Sequence, residues 1–244
     1  MGIIKTKGPV SRKQEFLFLC LIPLYFICWG FALQPFGSIV EGIIRIVWEP
    51  DFLITDYFVV GGIGAAFVNA GLLALASIGL IYFSRMDMSG HSITSVCLMF
   101  GFSLFGKNLL NIWLILVGVI LYSEYHKSPP GRYLYVGLYG TSLSPIITQL
   151  MHIEHTPFPV RVGLCAMTGI VIGFVLPPLS THVHYAHKGY SLYNVGFAAG
   201  IIATVIISLV KSFGIEVESR LIWSTGHNMM FGILLTVLFG GMVV

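Results

Sequence analysis

The chain has 244 residues, of which 56% are hydrophobic and only 9% are charged, with a formal net charge of +3. Soluble proteins carry roughly 25% charged residues, so this composition excludes a soluble globular fold and leaves an α-helical integral membrane protein. The apolar runs are continuous and do not alternate, which disfavours a membrane β-barrel. The small positive charge relates to membrane orientation and gives no reason to expect a nucleic-acid surface.

The first membrane span is predicted at about residues 16–33, after a basic segment that we interpret as a cytoplasmic N-terminal tail, residues 1–15. No small-residue cleavage site follows the apolar run, so the segment is interpreted as a retained helix. Polar residues then recur at helical spacing from Ser38 to Glu49, which predicts an amphipathic helix along the outer interface. The whole chain, residues 1–244, is interpreted as a single membrane domain.

Span 2 is predicted at about residues 57–83, and the apolar stretch after it, residues 92–123, is interrupted by Gly106-Lys107-Asn108. That stretch is too long for one perpendicular helix, and each half is long enough for only about two-thirds of a crossing. Basic residues on both flanks favour a re-entrant hairpin that enters and leaves on the cytoplasmic side. Irregular backbone at such a depth must be shielded by protein or line a cavity.

Four further spans are predicted at residues 133–150, 162–179 and 192–210 and from about 221 to the end. Small and hydroxylated residues with Pro145 predict a discontinuous helix in the first, and Pro177-Pro178 are interpreted as the end of the second. The predicted fold class is therefore all-α, a polytopic membrane protein with about six transmembrane helices, one re-entrant helical hairpin and one amphipathic interfacial helix. The bias of basic residues places both termini in the cytoplasm, which we expect to be that of a bacterium, with the chain in its inner membrane.

Lys107 is the leading candidate for a functional residue, because a charge deep in hydrocarbon costs about 2.5–3.5 kcal/mol even on the lenient insertion scale. Its ammonium could bind an anionic solute, substitute for a coupling cation, or lose its proton when desolvated. Alternatively, it could be a structural lysine paired with a carboxylate or with helix-end carbonyls. The neighbouring asparagines could likewise cap helix ends or bind a solute. The predicted pathway residues are Lys107, Asn108, Asn111, Thr141, Ser142, Ser144, Asn69 and Asn194.

Three histidines, His182, His184 and His187, form a second candidate site, because neutral imidazole binds zinc, copper and nickel. Interfacial or proton-sensing histidines are the alternative interpretation. The spacing does not match His-Glu-x-x-His, and no nucleophile elbow or phosphate-binding glycine loop occurs. Enzymes of those classes are therefore disfavoured, and no cofactor is expected.

Three blocks of sequence together resemble a known family: residues 101–108 with Asn111-Ile112, residues 139–146, and residues 187–200. The set is similar to an uncharacterised domain-of-unknown-function family of polytopic bacterial membrane proteins, over about residues 54–230. Members of that family are commonly longer and carry the same blocks again in a second half. The resemblance therefore implies that this chain matches one half, completed by a second copy or a separate chain. It implies no substrate.

These features together favour a channel or transporter subunit for a small polar or anionic solute, with the pathway near Lys107. Two alternatives stay open. One is a non-transporting membrane scaffold that docks a partner through its amphipathic helix or histidine loop, and the other is a metal-dependent intramembrane enzyme. The expected partners are the lipid bilayer, the solute, and either a second copy in a homo-oligomer or a separate half-protein chain.

Overall fold

The computed structural model describes residues 11–50, 54–186, 188, 193–214 and 221–243, which form α-helices joined by short connections. A single turn of 3-10 helix, Thr141–Leu143, lies between α7 and α8. A two-residue parallel bridge pairs β1 (Ile54–Thr55) with β2 (Leu221–Ile222). The helices are α1 (Arg12–Leu33), α2 (Phe36–Trp48), α3 (Tyr57–Val60), α4 (Ile63–Phe83), α5 (Gly90–Phe102), α6 (Trp113–Tyr125), α7 (Gly131–Gly140), α8 (Ser144–Met151), α9 (Phe158–Ala186), α10 (Asn194–Ser212) and α11 (Asn228–Val243).

Four of the described helices, α1, α4, α9 and α10, are long and apolar enough to cross a membrane. The helices α5, α6 and α11 are also apolar but shorter. The chain is thus a helical membrane protein, as its composition predicts. By length and composition alone, the structure supports four crossings out of the predicted six.

The interrupted stretch does form two helices, α5 and α6, each of 13 residues. The irregular segment between them, residues 103–112, is longer than the predicted break and extends to both sides of Lys107. The predicted discontinuous helix is also present, because α7 ends at Gly140 and α8 begins at Ser144. Both breaks lie where small and polar residues interrupt apolar sequence.

Two predicted boundaries are wrong. Span 2 is divided at Gly61-Gly62 into α3 and α4, because Gly62 has a φ of 87°, a conformation that favours glycine and ends a helix. Helix α9 continues through Pro177-Pro178 to Ala186. The hydroxyls of Ser180 and Thr181, one turn further on, both donate to Pro177 O at 2.9 Å.

Small residues let the helices approach closely. Gly64 of α4 packs against Gly30 of α1, and Gly61, at the end of α3, packs against Gly42 of α2. The same close contact joins α6 to α9, where Gly118 lies against Gly173. Backbones that touch in this way gain van der Waals contact, which stabilises helix pairs in a membrane.

The remaining helices cover this core from two sides. Helix α10 packs on α9 and α7 through Ala198, Ala199 and Ile202. Helix α11 lies against α1, where Tyr25 Oη donates to Leu234 O at 2.8 Å. The site described next lies among α4 to α9.

The contact between α6 and α9 gives a test of the fold. A Cβ added at Gly173 would collide with Ile115 O, whereas one added at Gly163, on the same helix, would meet open space. We expect Gly173→Ala to lower the free energy of unfolding by about 1–3 kcal/mol, because overpacking forces the two backbones apart. Thermal unfolding in detergent measures this, with Gly163→Ala as the matched control. Equal melting temperatures for the two variants would show that the helices do not touch there.

Candidate functional site

Two helix breaks meet inside the bundle: the segment 103–112 and the turn between α7 and α8. Ser144 Oγ donates to Gly106 O at 3.2 Å, and Asn111 Nδ2 donates to Thr148 Oγ1 at 3.1 Å. Gly106 and Asn111 lie in the first break, and Ser144 and Thr148 lie in α8, which follows the second break. Hydrogen bonds therefore join the two broken regions directly. A broken helix leaves peptide groups without partners, and within an apolar layer those groups need partners from the protein.

Asn108 and Asn111 organise the first break. Asn108 Oδ1 accepts from the backbone N–H groups of Leu110 and Asn111, both at 3.0 Å, which forms an Asx turn ahead of α6. Asn111 Oδ1 accepts from Asn108 N at 2.9 Å, and Asn111 Nδ2 donates to Gly106 O at 3.0 Å. Both side chains are buried, and both hold the turn in place. For these oxygens, the capping interpretation is the one that the geometry supports.

Asn69, in the middle of α4, holds the same segment from another side. Its Nδ2 donates to Ser103 O at 2.7 Å and to Lys107 O at 2.9 Å, and its side chain is fully buried. Its Oδ1 has no hydrogen-bond partner among the described residues. Asn69 therefore joins α4 to the break and fixes its backbone at Ser103 and at Lys107.

The Lys107 side chain is 1% exposed and extends toward α7. Its ammonium donates one long hydrogen bond to Leu138 O, at 3.5 Å, and lies 5.0 Å from the centroid of the Phe102 ring. No carboxylate of the described residues lies within 4.0 Å of it. Leu138 O belongs to the last turn of α7, where the helix dipole favours a positive charge, and the ring face adds a cation–π contribution. Lys107 thus pairs with a helix-end carbonyl and has no carboxylate partner among the described residues.

A cavity of about 210 Å³ reaches the two breaks from the surface. Its floor is formed by Asn108, Asn111 and Thr148. Its open side is marked by Trp48 and Leu110, which are 59% and 64% exposed. Lys107 is not among the lining residues. The walls are apolar and include Val47, Leu114, Ile147, Met151, Val162 and Ala166.

His152 lies at the open side of this cavity and joins two elements. Its Nδ1 is 2.8 Å from Thr148 O in α8, and its Nε2 is 3.1 Å from Trp48 O at the end of α2. Both partners are carbonyl oxygens, which accept hydrogen bonds, whereas neutral imidazole has only one N–H. His152 therefore links α8 to the end of α2 at the opening of the cavity.

The other predicted pathway residues divide into two groups. Thr141 is buried beside Lys107, and its Oγ1 donates to the same carbonyl, Leu138 O, at 2.7 Å. Ser142 is half-buried in the same turn. Asn194 lies at the start of α10, 3.2 Å from a ring nitrogen of His184, and is outside both helix breaks.

The histidines of the predicted metal site are only partly described. His182 and His184 are exposed near the end of α9, and residues two apart on a helix point to different sides. His187 lies outside the described residues. Within the part of the chain that the structure describes, no three metal-ligating side chains come together.

Sequence reasoning missed Thr148 and His152 as members of the site. Thr148 carried a readable signal, because Thr141, Ser144 and Thr148 are spaced three and four residues apart and so share a helix face. His152 directly follows α8. Its contact with Trp48 joins positions 104 residues apart, and such a contact has no local signal.

Asn69 provides a test of how the break is held. Replacing Asn69 with Ala removes both donors and leaves two buried carbonyls unpaired, so we expect the free energy of unfolding to fall by about 1–3 kcal/mol. Ser77→Ala is the control on the same helix, because the Ser77 hydroxyl bonds only within α4, to Leu73 O at 2.8 Å. Thermal unfolding in detergent compares the two. A loss no larger for Asn69→Ala than for Ser77→Ala would contradict the assigned role.

No curated protein and no solved structure gives a significant match to the chain. One family model does match, described as a protein of unknown function (DUF1576), over residues 36–212. The match extends from α2 to the end of α10 and so includes both helix breaks and the cavity. The predicted membership of an uncharacterised family is confirmed: the chain belongs to the DUF1576 family of proteins of unknown function.

Proposed function

We propose that this protein is a transport subunit of a membrane and admits a small polar or anionic solute to the cavity between α2, α8 and α9. The observation that carries the proposal is the position of the cavity floor, which lies on two broken helices. Broken helices place free peptide ends and polar side chains at membrane depth, and transporters use such breaks to bind their substrates. A non-transporting membrane scaffold, by contrast, does not require a cavity at that position.

The proposal includes a re-entrant course for α5 and α6. Near the start of α5, the His91 ring lies 5.6 Å from Tyr135, and near the end of α6, the Tyr122 ring lies 5.1 Å from Tyr133. Tyr133 and Tyr135 are both in the first half of α7, so the two outer ends of the hairpin lie near one end of that helix. The break at Lys107 meets Leu138, in the last turn of α7. These contacts support a hairpin that turns back within the membrane.

The proposal also includes six crossings, cytoplasmic termini in a bacterial inner membrane, and pairing with a second copy or half. The positive-inside bias of the loops supports the orientation. Helix α10 supports the pairing, because Gly196, Gly200, Thr204 and Ser208 are exposed at every fourth position. Added Cβ atoms at the two glycines would meet open space. Such a surface allows a second helix to approach closely.

Water access to the cavity floor is the first test. In a background without the four native cysteines, we expect Thr148→Cys in nanodiscs to react with an anionic, membrane-impermeant methanethiosulfonate reagent. Ile115→Cys is the control, because Ile115 is fully buried in packed apolar core and does not line the cavity. Mass spectrometry measures the labelled fraction. Labelling of neither cysteine in folded protein, with labelling of both after denaturation, would mean a closed, dry floor and would overturn the proposal.

The charge of Lys107 is the second test. Methionine has a similar length and no charge, so Lys107→Met should insert and fold but lose flux of anionic solutes, because the positive potential near the floor is gone. Proteoliposomes loaded with labelled chloride, phosphate, acetate or glycerol measure the flux. Lys13→Met, which removes an exposed lysine near the start of α1, is the control. Equal anion flux in the two variants would remove Lys107 from the mechanism.

A further inference from the structure

The floor of the cavity presents hydrogen-bond donors. Asn108 Oδ1 is used by two backbone N–H groups, which fixes the carboxamide and directs its NH₂ group away from the turn. That NH₂ group has no partner among the described residues, although Asn108 is only 1% exposed and lines the cavity. Thr148 Oγ1 already accepts from Asn111, so its own hydroxyl hydrogen is a second donor. A ligand on this floor therefore needs an acceptor group.

No acidic residue is among those that line the cavity. Two basic side chains lie near it: His152 contacts two carbonyl oxygens at the open side, and Lys107 is next to Asn108 in the chain. Lys107 has no carboxylate partner among the described residues. A negatively charged acceptor is therefore preferred to a neutral one, because donors bond an ionised acceptor more strongly and no acidic side chain of the lining repels it.

The walls require that the rest of the ligand be apolar and small. Apart from the floor, His152, the Cys165 thiol and the Met151 thioether, the lining is hydrocarbon with one indole ring, from Trp48. A cavity of about 150 Å³ with such walls holds a benzene molecule, and this cavity has about 210 Å³. The space is therefore suited to a ring or a short chain, with room for a head group at the floor.

We infer that the cavity binds a compact organic monocarboxylate, with the carboxylate on Asn108 Nδ2 and Thr148 Oγ1 and the apolar body against Leu114, Ile147 and Val162. The inference rests on the proposed function and narrows its solute from a small polar or anionic one to this class. An inorganic anion would leave the apolar walls unfilled, and an amine would place a cation against donors. The same chemistry is available from dissolved acids and from fatty acids of the bilayer.

Equilibrium binding of labelled benzoate to the purified full chain in nanodiscs tests the class. We expect benzoate to bind at least about tenfold more tightly than benzamide, its neutral analogue, because a hydrogen bond to a charged acceptor is the stronger one. Acetate, which lacks the apolar body, should compete poorly. Benzamide binding as tightly as benzoate would overturn the preference for charge, and acetate competing as well as benzoate would overturn the role of the walls.

Asn108→Asp is the decisive variant. It keeps the oxygen that accepts from Leu110 and Asn111, so the turn is retained, but it replaces the donor with a second carboxylate oxygen. Benzoate affinity should fall by about tenfold or more. Ala166→Leu, which fills the cavity from α9, should also abolish binding. Gly163→Ala, in open space on α9, should leave binding unchanged and serves as the control. Wild-type affinity in both Asn108→Asp and Ala166→Leu would overturn the site.

Two further measurements show whether the ligand comes from solution or from the bilayer, and whether a negative result overturns only the ligand class or also the proposed function. Oleate displacing benzoate from the wild type, but not binding to Asn108→Asp, would support the same chemistry with a ligand from the bilayer. Benzoate failing to bind while Thr148→Cys is still labelled would overturn the ligand class and leave the proposed function intact. A floor that is neither labelled nor able to bind benzoate would overturn both.

Discussion

Backbone that leaves the helical conformation inside an apolar layer must find its hydrogen bonds within the protein, and the centre of this molecule is built around that requirement. The segment 103–112 obtains its partners from three directions. Asn69 donates from α4, Asn111 closes the turn from within, and Ser144 donates from the second break. The first break is therefore stabilised by partners from α4, from its own turn and from the start of α8.

The same requirement explains why a polar cavity floor exists in so apolar a protein. Most polar atoms of the buried side chains at the two breaks form hydrogen bonds with the backbone, which leaves few of them for a ligand. Asn108 shows the division, since its oxygen holds the turn while the residue itself lines the cavity. Asn111, by contrast, uses both ends of its amide within the protein. Two asparagines three residues apart thus have different roles, and the hydrogen bonds separate them.

Much of the fold could be predicted from local sequence signals. The length of the apolar runs, the helical spacing of polar residues in α2, and the small and charged residues at Gly106-Lys107-Asn108 all indicate elements that the structure contains. The failures depend on tertiary contacts. Proline normally ends a helix, yet α9 continues through Pro177-Pro178. Asn69 and Asn194 occupy similar sequence contexts, but only Asn69 packs beside a broken helix, and no local pattern distinguishes them.

The sequence positions of the residues that hold the two breaks have a consequence for biogenesis. Asn69, Asn108, Asn111, Ser144 and Thr148 all lie between positions 69 and 148, and the cavity needs in addition only α2, Met151, His152 and the first half of α9. Domains fold from the N-terminal side during synthesis. A ribosome that has released residues up to the middle of α9 has thus supplied every hydrogen-bond partner of the two breaks. Helices α10 and α11 are then added to a centre that is already complete, and the contacts of α11 with α1, such as Tyr25 to Leu234, form last.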